Sequence, residues 1–128
     1  MTFRHLALFT SLACLALAAI WLVYPAVLLA MWGVEFSCSV GLVGRRGAVM
    51  FAAISLMFFR ARNAPPSPAR SALLAGFVLG CFSLAALGAF EGLTGHAGPG
   101  IWFSVLIETT LALAFVMVDR RSPQEPVA

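Results

Sequence analysis

"LALFTSLACLALAAIWLVY", Leu6 to Tyr24, decides how many times this chain crosses a membrane. Arg4 and His5 precede the run, as basic residues precede a cleavable secretory leader. The run is longer than a leader's apolar core, however. It closes on Trp21, Tyr24 and Pro25, with no small-residue cleavage site. Trp21 and Tyr24 suit the headgroup belt of a bilayer. Nor does "SLAC" make a lipoprotein site, since Ser11 stands where a leucine is expected. The stretch reads as an uncleaved first span.

The rest of the chain belongs in the same solvent. Of its 128 residues 62% are hydrophobic and 10% are charged, and mean hydropathy is +0.99. A soluble domain carries about a quarter charged residues, so this chain could not cover its surface with polar groups. Its length allows one domain. Net charge is +3, and every basic residue is an arginine. The arginines stand at the ends of apolar runs and form no basic face, which excludes a nucleic-acid partner and makes them topology signals. Cys14, Cys38 and Cys81 are scattered singly without a CxxC, so neither a disulfide framework nor a metal site is expected.

Three further spans follow, at about 40–59, 71–90 and 101–118. "RARNAPPSPAR", Arg60 to Arg70, separates the second from the third, because Pro65, Pro66 and Pro68 forbid a continuous helix. "EGLTGHAGPG" separates the third from the fourth. Residues 119–128 read as a short polar tail. Pro25 to Val43 is the open stretch. "AVLLAMWG" is too short to cross about 30 Å of hydrocarbon. It could extend the first helix past a kink or form a short interfacial or re-entrant helix. The expected architecture is an all-α integral membrane protein, a four-transmembrane-helix bundle. Arg4, Arg60, Arg62, Arg70, Arg120 and Arg121 fall on one side, and only Arg45 and Arg46 on the other. By the positive-inside rule both termini are cytoplasmic.

Helical spacing then assigns faces. On the second span Arg45, Ala48, Ala52, Ser55 and Phe59 share a small, polar stripe, expected to pack inward with Arg45 on it. Arg46 should snorkel to the headgroups. On the third, Gly76 and Gly80 form a GxxxG, for which packing inside the chain is favoured over a dimer seam. On the fourth, Ser104, Glu108 and Ala112 share a face, as Ser11, Cys14 and Ala18 do on the first.

Glu108 is the one ionisable residue between Ile101 and Phe115. It lies about 10 Å down the fourth span, and Arg45 about 8 Å down the second, at 1.5 Å per residue. Matching depth predicts an Arg45–Glu108 ion pair that removes two uncompensated charges from lipid. The bland reading of Glu108 is this structural pin; the functional one is a proton- or substrate-binding acid. Glu35, Glu91 and His96 could join Arg45 and Arg46 in a polar outer mouth, with no metal expected there. No nucleophile–base set, phosphate loop or redox pair is present, which argues against an enzyme and against any cofactor.

"GRRGAVMF" opening the second span, the arginines closing it and an acid in the last span resemble small four-span bacterial membrane proteins of the DoxX-like kind. The resemblance implies a four-helix bundle in the bacterial inner membrane. The functions expected are a non-catalytic accessory or interaction subunit, or a binder of a lipid-like ligand. A small oligomeric transporter or channel using Glu108 and Arg45 is the alternative. The expected partners are membrane lipids, a larger membrane complex or further copies of the chain.

Overall fold

The computed structural model describes residues 2–121, and the remainder of the polar tail, 122–128, lies outside the described residues. The chain forms α1 (Phe3–Val23), α2 (Pro25–Met31), α3 (Cys38–Ala61), α4 (Pro68–Leu93) and α5 (Ile101–Arg120). Among the described residues there is no strand. α1, α3, α4 and α5 are each long and apolar enough to cross a membrane. Asp119 and Arg120, read from sequence as the start of the tail, are the last residues of α5.

The boundaries follow from local chemistry. Pro25 has no N–H to continue α1, so the helix ends and α2 starts with that proline in its first turn. α2 is a separate helix of 7 residues. It stops at Gly33, whose φ of +69° suits a residue without a Cβ. Ser37 caps α3 by accepting from the Val40 N–H at 3.2 Å, and Ser67 caps α4 by accepting from the Arg70 N–H at 3.2 Å.

The four spans associate as two pairs. α1 packs along α3 and α4 along α5, whereas α1 meets α5 over a short stretch. α1 is the most enclosed span and α5 the most open. Helices in lipid gain nothing from expelling water, so contact depends on close packing and hydrogen bonds. The α1–α3 seam uses both. Ser11 donates to the Ser55 carbonyl at 2.9 Å, Ser55 donates to the Ser11 carbonyl at 2.7 Å, and both side chains are buried. Nearer the end of α1, the Trp21 ring lies on Gly44, where any Cβ would collide with it.

Two joints hold the pairs together, one at each end. At the arginine-rich end Phe58 of α3, Phe77 of α4 and Phe115 of α5 form an aromatic triad, with ring centroids 4.7 to 5.3 Å apart. Phe3, Leu6 and Ala7 of α1 and Leu74 of α4 complete this cluster. The buried Arg70 guanidinium sits 4.5 Å above the Phe3 ring. At the far end the loop after α2 meets the loop before α5. The Gly98 N–H donates to the Trp32 carbonyl. A Cβ on Gly100 would overlap the Met31 carbonyl, so only glycine permits this approach.

Candidate functional site

Glu108 lies on the inward face of α5. One turn further on Ala112 is fully buried, as is Phe115 beyond it. One turn before it, the Ser104 hydroxyl accepts a hydrogen bond from the Trp32 indole at 3.0 Å. The far-end loop contact thus sits above the acid, and the aromatic triad lies towards the other end. Glu108 itself is half-buried, and it is within electrostatic reach of the Cys81 thiol on α4. Cys81 in turn feels Cys14 of α1, and both thiols are buried. One turn from Cys14 stands Thr10, fully buried with a hydroxyl that has no hydrogen-bond partner among the described residues. Near the bundle's middle, Cys81 of α4 therefore lies between the acid of α5 and the thiol of α1.

Arg45 is not part of this group. It is exposed on α3 and forms no ion pair with Glu108, which corrects the expectation drawn from matching depth. The reason is register and helix order. Stepping back from Ala48, an inward stripe can pass through residue 45 or residue 44, and Gly44 takes the position because Trp21 needs the space. α3, moreover, packs along α1 and not along α5. Of the expected stripe, Ala48 and Ser55 are buried, Ala52 is half-buried, and Arg45 and Phe59 point outward.

The remaining candidates are distributed as follows. Of the expected outer mouth, only Glu91 and His96 meet, with Nδ1 of His96 3.0 Å from Oε2 of Glu91 and 3.1 Å from the Thr94 hydroxyl. Glu91 belongs to the last turn of α4 and His96 to the turn that follows it, and Glu35 and Arg46 are exposed apart from them. Among the described residues no group of three or more His, Cys, Asp or Glu could hold a metal ion. Gly76 and Gly80 have nothing within 4 Å of where a Cβ would stand, so the GxxxG makes no close contact among the described residues.

Two lateral grooves lie between spans among the described residues. One, of about 270 Å³, opens between α3 and α4 and is lined by uncharged residues that include Met57, Ala72 and Gly76. The other, of about 400 Å³, opens between α4 and α5 along Ala75, Leu79, Phe82 and Val116, and ends at Asp119 and Arg120. Helical spacing does not reveal either groove, because each depends on how far neighbouring spans stand apart.

Compared with protein-family models, with curated proteins and with solved structures, the chain matches none.

Proposed function

We propose that this multi-pass membrane protein is a non-catalytic binder of lipid-like ligands, working as an accessory subunit in the bacterial inner membrane. Both termini face the cytoplasm in this reading, because six of the eight arginines lie at that end. α2 lies at the opposite interface. Small four-span proteins of the DoxX-like kind are the class the chain would join.

The observation that carries the proposal is the pair of lateral grooves. Their lining is almost wholly apolar, and they lie between spans, where lipid or a hydrophobic ligand can enter sideways. The midplane group of Glu108, Cys14, Cys81 and Thr10 supplies no base held against a nucleophile by a third group, so it supports binding better than catalysis. The test is mass spectrometry of the protein released from native membranes in mild detergent. A stoichiometric lipid or lipid-like molecule is the expected result. Protein free of any such molecule after gentle release would count against the reading.

A second reading is favoured by one specific observation: Glu108 has no ionic partner among the described residues. An unpaired acid within a span is a candidate for proton or cation coupling. A transporter of this kind, without Arg45 in its pathway, predicts proton-linked flux in proteoliposomes that Glu108→Gln abolishes. Absence of such flux leaves the accessory reading in place.

A further inference from the structure

The two grooves differ in one respect that selects a ligand. Among the described residues the α3–α4 groove has no charged residue in its lining. The α4–α5 groove runs from Phe82 to the end of α5, where Arg120 closes it. Its wall on α4, from Leu74 to Phe82, is about 12 Å long at 1.5 Å per residue. Leu79 is 69% exposed and Phe82 41% exposed, so the wall is open along its length. The rim carries two charges of opposite sign. Asp119 is engaged, because its Oδ1 accepts the Ser71 hydroxyl at 2.9 Å and so ties the end of α5 to the start of α4. Arg120 is exposed and has no hydrogen-bond or ion-pair partner among the described residues. A guanidinium with five donors and a permanent charge, placed where an apolar groove reaches the headgroup level, matches a phosphate attached to an acyl chain.

We propose that the groove between α4 and α5 is a binding site for one anionic phospholipid. An acyl chain lies along Ala75, Leu79, Phe82 and Val116, and the headgroup phosphate rests on Arg120. This inference rests on the lipid-binding reading above and adds to it a place and a headgroup charge. The uncharged α3–α4 groove, by contrast, has no means of choosing between headgroups.

The test offers the purified full chain equal amounts of phosphatidylglycerol and phosphatidylcholine with identical acyl chains, and reads retained lipid by native mass spectrometry. Wild type is expected to retain phosphatidylglycerol about fivefold over phosphatidylcholine, the effect of one arginine near the headgroups. Arg120→Gln should bring the two lipids level, and Arg120→Lys should keep most of the preference. Arg60→Gln, at the same end but on α3, should leave the preference unchanged. Leu79→Trp fills the groove and should lower retention of both lipids. Equal retention by wild type, or a preference that survives Arg120→Gln, overturns the headgroup assignment while leaving the lipid-binding reading standing. If no lipid is retained above detergent background, the lipid-binding reading itself fails. If Leu79→Trp instead dissociates a dimer and leaves lipid retention unchanged, a second copy occupies the groove and the inference is wrong.

Discussion

The α1–α3 pair and the α4–α5 pair solve the same problem differently. Along the first seam two buried serines satisfy one another, since Ser11 and Ser55 exchange hydrogen bonds in both directions, and the Trp21 ring fills the space that Gly44 leaves. Along the second, Ile101 and Val105 approach Gly88 at one end, Asp119 takes the Ser71 hydroxyl at the other, and a groove opens along the outer side. Glu108 and Arg120, neither of which has an ion-pair partner among the described residues, both belong to the second pair. The first pair is closed along its seam apart from the unpartnered Thr10 hydroxyl, and the second pair carries the unpaired Glu108 and Arg120. A membrane protein this small can hold its shape with one tight seam and keep the other for binding.

The sharpest way to break that contrast is to crowd each side. Gly44→Leu forces the Trp21 ring off α3 and should cost about 3 kcal/mol, the upper range for overpacking a filled contact. Reversible unfolding in mixed micelles measures it. Gly80→Leu, placed where a Cβ meets open space, should leave stability nearly unchanged. Equal tolerance of the two substitutions would remove the distinction between a closed seam and an open face.

A smaller effect tests the hydrogen bonds. Ser11→Ala and Ser55→Ala each remove one donor to a backbone carbonyl and should each cost about 0.6 to 1.7 kcal/mol, the range for interhelical hydrogen bonds in lipid. Costs near zero would mean that packing alone closes the seam. The smallest effect concerns the acid. A cycle of Arg45→Ala and Glu108→Gln should show no coupling, because the two residues do not meet. A coupling above about 1 kcal/mol would restore the ion pair and make Glu108 a structural pin.

These cases also mark what the sequence makes legible. The spans are readable because apolar runs end at residues with a physical reason to end them. Pro25 removes a donor, Pro65 to Pro68 block a helix, and arginines flank the lipid. The inward face of α5 is readable as well, since Ser104, Glu108 and Ala112 recur at steps of four. The α3 face is not readable to the residue, because steps of three and four both fit and the choice between Gly44 and Arg45 depends on Trp21 from another helix. Nor does depth in the bilayer identify a neighbour, so Arg45 and Glu108 match in depth without meeting. The far-end joint between Trp32, Gly98 and Gly100 depends on where two loops travel, which no periodicity records. Cys14 and Cys81 are buried in apolar runs, as a small hydrophobe would be, and the nearness of Cys81 to Glu108 and to Cys14 comes only from how the helices pack.

The claim that the second pair carries the binding surface is tested most directly by photocrosslinking. The full chain is reconstituted with a phosphatidylglycerol bearing a photoreactive group in its acyl chain, and the adducts are mapped by peptide mass spectrometry. Adducts concentrated on Leu79, Phe82 and Val116, and reduced in Arg120→Gln, are the result expected here. Adducts spread evenly over the lipid-facing residues of all four spans, or gathered on α1 and α3, would contradict it.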